Sequence, residues 1–68
     1  MSQEMQIYDY MQKGNGITQA DAIELFQCYR LGARIKDLRD SGHDIRTHLE
    51  DNATRPGKHA RYWLVVKE

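Results

Sequence analysis

The sequence predicts an α+β fold in which three short helices are followed by a β-hairpin. The spacing of the apolar residues carries this prediction. It fits helices up to about residue 40 and changes at Ile45 to the strict alternation of strands. Glycine-containing or polar turn segments separate the predicted elements. At 68 residues, the chain has the length of one small domain, residues 1–68, with room for one modest core.

The first helix is predicted at residues 3–13, where Ile7, Tyr8 and Met11 share one helical face. Residues 14–16, Gly-Asn-Gly, follow directly. Gly and Asn readily adopt the left-handed backbone conformation that ends a helix, so we expect the helix to stop there.

The second helix is predicted to begin at Thr18 and to end near Phe26. The Thr18 hydroxyl can accept a hydrogen bond from a free backbone N–H of the first turn. Asp21 stands at the third helical position, where a capping box has a side chain that accepts a hydrogen bond in return. Ile17 occupies the position of a hydrophobic staple.

The third helix is predicted from about residue 29 to residue 40, and the Ser-Gly pair after it ends the helix. Leu31, Ile35 and Leu38 are spaced i, i+4, i+7 and form the inward stripe of an amphipathic helix. Only a short break separates this helix from the second one. The two together predict a helix-turn-helix.

The hairpin begins at Ile45, where Ile45, Thr47 and Leu49 lie on one side of a half-buried strand and polar residues lie on the other. Residues 51–58 have the composition of a turn and include the only proline. In residues 60–66, Ala60, Tyr62, Leu64 and Val66 again occupy every second position, which predicts a second strand. An isolated hairpin is not stable, so this one must pack on the helices. The predicted architecture is a three-helix helix-turn-helix core with a C-terminal β-hairpin wing, a winged helix.

The third helix carries the residues from which we predict contact with duplex DNA. In a helix-turn-helix the second helix of the pair lies in the major groove, and its N-terminal part meets base edges. Arg30 is the first candidate for a base contact and Arg34 the second, because the guanidinium fork matches two acceptors on guanine. The other outward or flanking residues of this helix are Tyr29, Ala33, Lys36 and Arg39.

The same basic face also has an ordinary structural reading. Asp37 and Asp40 interrupt it. Their spacing allows surface ion pairs with Arg34 or Lys36 along the helix.

The hairpin loop and the start of the second helix supply the other candidates. Arg55, Lys58 and Arg61 cluster around the turn, where long cations can reach phosphates or a minor groove. Thr18 and Gln19 can offer backbone and side-chain donors to a phosphate. We therefore expect the third helix to specify the DNA sequence, and the wing and second helix to position the domain.

The chain resembles a family of small helix-turn-helix domains common in phages and prophages. The resemblance rests on Ile-Thr at residues 17–18, on RLGARIKDLR at 30–39 and on ARYWL at 60–64, and it extends over nearly the whole chain. The sequence departs from the family at Gly32, which is usually Ala, and at Trp63, which is often basic. The resemblance implies a winged-helix fold and DNA binding, without identifying an operator or a role.

The charge distribution permits a DNA-binding face although the net charge is zero. Residues 1–28 carry one basic and four acidic residues, whereas residues 29–68 carry nine basic and six acidic ones. Such a dipolar molecule can turn a basic face toward phosphate. No apolar run reaches the length needed to cross a membrane, and the N-terminus lacks a secretory signal, so we expect a cytoplasmic protein with no membrane partner.

No group of residues in the sequence points to catalysis, a metal or another cofactor. Cys28 is the only cysteine, and neither it nor His43, His48 and His59 stand at spacings typical of a zinc site or a nucleophile pair. We expect Cys28 to be a small residue packed at the turn between the second and third helices. The histidines are expected to be solvated, with His59 near phosphate in the wing.

Two functions fit these observations. The first is a double-stranded-DNA binder, such as a phage-type transcriptional regulator or an excisionase-like factor. The second is a protein-interaction module on the same scaffold, such as an antirepressor or an inhibitor of a host protein; the zero net charge, Trp63, Tyr8 and Tyr10 favour it. RNA is a weaker option, because no stacking platform is evident. A homodimer through the first helix or the Trp63 strand, or a cooperative assembly on DNA, is compatible with either function.

Overall fold

Three helices and three strands make up the structure, a computed structural model that describes residues 2–65. In chain order they are α1 (Gln3–Gln12), β1 (Ile17–Thr18), α2 (Gln19–Phe26), α3 (Leu31–Asp40), β2 (Ile45–Asp51) and β3 (Lys58–Leu64). We call β2, β3 and the loop between them the wing. The predicted α+β order, three helices followed by a hairpin, is confirmed, and β1 is an additional element. None of the helices in residues 2–65 has the length and apolar composition that crossing a bilayer requires.

Local side-chain chemistry fixes the helix ends. The Ser2 hydroxyl accepts a hydrogen bond from Met5 N at the start of α1. At the start of α2, Thr18 Oγ1 accepts from Asp21 N and Asp21 Oδ2 accepts from Thr18 N, each at 3.1 Å. The predicted capping box is therefore confirmed. Gly42 follows α3 with a φ of +98°, the left-handed conformation expected after a helix.

The sheet is antiparallel, with the strand order β1-β3-β2. Ile17 of β1 lies opposite Tyr62 of β3. β2 and β3 pair along their full lengths, beginning with Ile45 opposite Leu64. The predicted continuation of the last strand to Val66 lies outside the described residues. β3 is thus the central strand, and β1 joins the wing to the start of α2.

The helical stripes that the sequence predicts form the core. The buried apolar residues are Ile7, Met11, Ile17, Ala22, Cys28, Leu31, Ile35, Leu38 and Ile45. Cys28 packs at the turn between α2 and α3, as expected. The expectation of a half-buried first wing strand is wrong for most of its length. Within β2 only Ile45 is buried, and Leu49 is 63% exposed, because the strand runs out of the core beyond its first residue.

Candidate nucleic-acid interface

A groove of about 370 Å³ separates the helices from the wing. The start of α2 contributes Gln19 and Ala20, and the first turn of α3 contributes Leu31 and Gly32. The wing side is formed by Arg55, His59, Ala60 and Tyr62, and Thr18 and Ile23 complete the lining. The fold thus brings together the three regions from which the sequence predicts DNA contacts.

Arg30 and Arg55 differ from the other basic residues that the structure describes. Among the Lys and Arg side chains of residues 2–65, these two have neither a hydrogen bond nor an ion pair. Both residues are exposed. Arg30 directly precedes α3 and its side chain makes no cap, whereas Arg55 lines the groove from the wing loop. Arg55 thus lines the groove with an unneutralised guanidinium group, and Arg30 immediately precedes Leu31, which lines the same groove.

The other basic residues on the outer side of α3 are held in surface ion pairs. Arg34 Nη2 lies 3.3 Å from Asp37 Oδ2, and Lys36 Nζ lies 3.5 Å from Asp40 Oδ2, so the predicted pairing is confirmed. Exposed pairs of this kind contribute about 0–1 kcal/mol, so a phosphate can replace the carboxylate at little cost. The Nε atom of Arg34 is buried without a hydrogen-bond partner.

Tyr29 and Ala33 flank these basic residues on the same helix start. Tyr29 is exposed immediately before α3, and Ala33 is half-buried in its first turn. Gly32 lies between them in the sequence and lines the groove, and a Cβ built on it would meet nothing within 4 Å. The backbone is therefore open to close approach at this point.

Arg39 is committed to the fold and is not a free residue of the interface. Its Nε and Nη2 atoms donate to the carbonyl oxygen of Ile45 at 3.2 and 2.8 Å, and Nη2 also donates to Thr47 Oγ1 at 3.0 Å. Its guanidinium carbon stands 6.0 Å from the centre of the Tyr62 ring. Arg39 thus joins the C-terminal part of α3 to the wing, a structural role that the sequence does not predict for it.

Arg61 also has a structural role. Its Nε atom donates to both carboxylate oxygens of Glu50 at 3.0 Å, and its Nη1 atom reaches Asp21 Oδ2 at 3.4 Å and the carbonyl oxygen of Gly16 at 3.5 Å. Because Asp21 closes the capping box of α2, Arg61 links the wing to the second helix. Arg61, predicted with Arg55 and Lys58 as part of a basic cluster around the turn, is held by acidic side chains and a backbone carbonyl, unlike Arg55.

Lys58 and His59 are paired with other residues of the wing. Lys58 Nζ lies 2.7 Å from Asp51 Oδ1 in an exposed ion pair. His59 Nδ1 stands 2.7 Å from Asn52 Oδ1, and its Nε2 stands 3.1 Å from Glu50 Oε1. The expectation of a solvated His59 facing phosphate is thus replaced by a histidine that braces the wing loop.

The start of α2 offers fewer free donors than the sequence predicts. Thr18 is 6% exposed, and its N–H and its hydroxyl oxygen both take part in the capping box. The Gln19 amide donates to the carbonyl of Cys28 at 2.7 Å and accepts from Leu31 N at 3.0 Å. Gln19 therefore joins α2 to both ends of the turn that leads into α3, a role with no signal in local sequence spacing.

Arg61 also changes the acidity of the wing. Its donated hydrogen bonds hold the pKa of the Glu50 carboxyl below its ordinary value; burial opposes this effect, and the hydrogen bond with His59 supports it. A carboxyl whose pKa is lower in the folded state stabilises the fold above its unfolded-state pKa. This stabilisation is lost as the pH falls through the folded-state pKa.

We therefore expect Arg61→Gln to reduce the free energy of unfolding at neutral pH and to have a smaller effect in acid. The difference from the wild type should shrink as the pH falls below the ordinary range of a glutamate pKa. Urea unfolding followed by circular dichroism between about pH 7 and pH 3 measures it. Lys13→Gln, which removes an exposed ion pair with Asp9, is the matched control and should change little. A difference that stays constant over the whole pH range would contradict the assignment.

Comparison with known proteins agrees with the element order. Residues 2–67 match a family model described as a winged helix-turn-helix domain. No curated protein and no solved structure matches the chain. Domains of this kind typically bind DNA and are not enzymes. The match spans almost the whole sequence, and the chain belongs to the winged helix-turn-helix domain family.

Proposed function

We propose that this protein binds duplex DNA through the N-terminal part of α3 and the wing, and that it acts as a phage-type transcriptional regulator or an excisionase-like factor. The observation that carries the proposal is the pair of unneutralised arginines, Arg30 directly before α3 and Arg55 in the wing loop that lines the groove. Cations without an acidic partner at the start of a helix-turn-helix recognition helix and in its wing are the groups that phosphate and guanine bind.

The residues of α3 divide between base reading and backbone contact. Arg30 is the first reader, and Arg34 is the second once Asp37 releases it. Lys36 contacts phosphate, since its pair with Asp40 is highly exposed. Tyr29 and Ala33 lie against the DNA surface, where the missing side chain of Gly32 leaves room for a close approach of the backbone.

The wing supplies the sequence-independent part of the affinity. Arg55 enters the minor groove or contacts a flanking phosphate, and Lys58 exchanges Asp51 for a phosphate. Arg39, Arg61 and Gln19 act indirectly, because they hold the wing, α2 and the start of α3 in fixed relation. The buried Thr18 takes no part in contact.

Fluorescence anisotropy with a labelled random-sequence duplex at several salt concentrations tests the proposal. Each phosphate contact should contribute about 0.9 to the slope of log K against log salt. Arg55→Ala should weaken binding to every duplex and reduce this slope by about 1. Lys13→Ala, which removes an equal charge at the C-cap of α1, is the control and should bind like the wild type. An absence of binding at low salt would contradict DNA binding and favour a protein partner.

Arg30→Ala separates base reading from phosphate binding. On a site obtained by selection from a randomised duplex library, we expect the variant to lose about 1–3 kcal/mol of binding free energy. On random DNA it should lose much less, so specificity falls more than affinity. An equal loss on both duplexes would assign Arg30 to the phosphate backbone instead of a base.

A further inference from the structure

Within residues 2–65, the wing leaves one long strand edge without a partner. Because β3 is the central strand, the free edges of the sheet are β1, with two residues, and β2, with seven. The Trp63 strand, considered as a dimer surface from the sequence, is β3 itself, which pairs with β2 along its length and with β1 at Arg61 and Tyr62. Sheet extension by another chain is therefore open chiefly at β2.

The hydrogen bonds at the two ends of the wing show which backbone groups of β2 face outward. Val65 N donates to the carbonyl of Asp44 at 2.8 Å, and Asn52 N donates to the carbonyl of Gly57 at 3.0 Å. Bonded residues alternate along an antiparallel ladder, so the even-numbered residues of β2 bond to β3. Thr47, Leu49 and Asp51 therefore direct their N–H and C=O groups away from the sheet.

Few of the features that normally protect an edge strand are present along β2. Natural edges carry proline, a bulge or lysine side chains, or they are covered by another element. β2 contains neither proline nor lysine, and its register with β3 is unbroken over all seven residues. Arg39 covers the carbonyl of Ile45, at the start of the edge. The backbone from Thr47 onward is exposed, and Leu49 presents an apolar side chain there.

We propose that β2 pairs antiparallel with β2 of a second copy of this chain, centred on His48. In this register Arg46 of each copy lies opposite Glu50 of the other. Unlike charges directly opposite one another stabilise an antiparallel pair. Thr47 lies opposite Leu49, and each such pair exchanges both backbone hydrogen bonds through outward-facing groups.

The charges of the strand favour this register over its neighbours. A pairing centred on Leu49 places Arg46 opposite Asn52, and one centred on Thr47 places Arg46 opposite His48, so neither sets Arg46 opposite a carboxylate. Arg46 donates two hydrogen bonds to Asp44, but its own side chain is 70% exposed, so in the dimer it exchanges this carboxylate for that of Glu50. Glu50 accepts from Arg61 and retains acceptor capacity, since a carboxylate has about four lone-pair sites.

Sedimentation of the full chain without DNA, over a concentration series, tests the self-association. We expect a reversible dimer. Leu49→Pro removes an N–H that β3 does not use, so it should keep the circular dichroism of the wild type and abolish the dimer. Arg46→Glu places two glutamates opposite one another at both symmetry-related positions of the dimer. The repulsion should raise the dissociation constant about tenfold. Lys13→Glu makes the same charge change at the C-cap of α1; it is the control and should dimerise normally.

A cysteine pair tests the register. In non-hydrogen-bonded antiparallel pairs the Cα atoms stand about 4.5 Å apart, within the range of a disulfide. His48→Cys should therefore form a disulfide-linked dimer under mild oxidation, while buried Cys28 stays reduced. Arg46→Cys should not, because its two copies would lie about 13 Å apart along the strands. A monomer at all concentrations, a dimer that survives Leu49→Pro, or equal cross-linking at both positions would each overturn the proposal.

Discussion

Ile35→Ala is expected to remove most of the free energy of folding. Ile35 is 1% exposed in the middle of α3 and belongs to the core cluster. Truncating a buried Ile to Ala costs about 2–5 kcal/mol, because the transfer free energy and the packing around the cavity are both lost. A domain of 68 residues has a total stability of roughly 3–10 kcal/mol. Thermal and urea unfolding followed by circular dichroism should show a protein that is marginally folded at 25 °C.

Two further variants bracket this result. Ile35→Val keeps most of the side chain and should cost about 0.5–1.5 kcal/mol. Leu49→Ala removes an apolar side chain of similar size that is exposed in β2, so it should change stability by less than about 0.5 kcal/mol. If Ile35→Ala unfolded at the same urea concentration as Leu49→Ala, the assignment of Ile35 to the core would be contradicted.

The packing of Ile35 in the core supports the proposed DNA interface as well as the stability of the fold. Leu31, Ile35 and Leu38 are the buried residues of α3, and they hold the helix that Arg30 precedes. A variant that loosens this stripe should weaken DNA binding without touching a DNA-facing residue. Stability and affinity should therefore be measured on the same preparations.

The features predicted correctly from sequence depend on neighbours within one turn of helix. The capping box joins Thr18 to Asp21, and the core stripe of α3 repeats every three or four residues. Both follow from backbone geometry that is the same in every helix. The helix order and the hairpin could also be predicted, because the periods of helices and strands are both set by residues close together in the sequence.

The errors arise where the partner lies far away in the chain. β1 has two residues, too few for any alternation to be visible. Without β1, nothing in the sequence shows that Arg61 lies beside Asp21, forty residues earlier. Arg55 and Arg61 therefore looked equivalent, although one is unpaired and the other forms part of the fold. The hydrogen bonds that join Gln19 to Cys28 and Leu31 could not be predicted for the same reason.

Gly16→Ala is expected to destabilise the protein by about 1–3 kcal/mol through overpacking. Gly16 is buried before β1, and an added Cβ would lie 2.7 Å from the Trp63 ring and from Arg61 Cδ. Both neighbours would have to move. Trp63 is already 40% exposed, so the indole should swing further into water, and the hydrogen bonds from Arg61 to Glu50 should be disturbed with it. Urea unfolding and a red shift of the Trp63 fluorescence measure the two effects.

Gly32→Ala is the matched control, because the same methyl group there meets nothing within 4 Å and the residue is helical. It should leave the fluorescence unchanged and stabilise the helix by up to about 1 kcal/mol. The two Gly-to-Ala changes are thus expected to have opposite signs. In a Trp63→Ala background the cost of Gly16→Ala should shrink, since the ring that it strikes is gone. An undiminished cost there would assign the destabilisation to the backbone at Gly16 or to Arg61, and not to the contact with the indole.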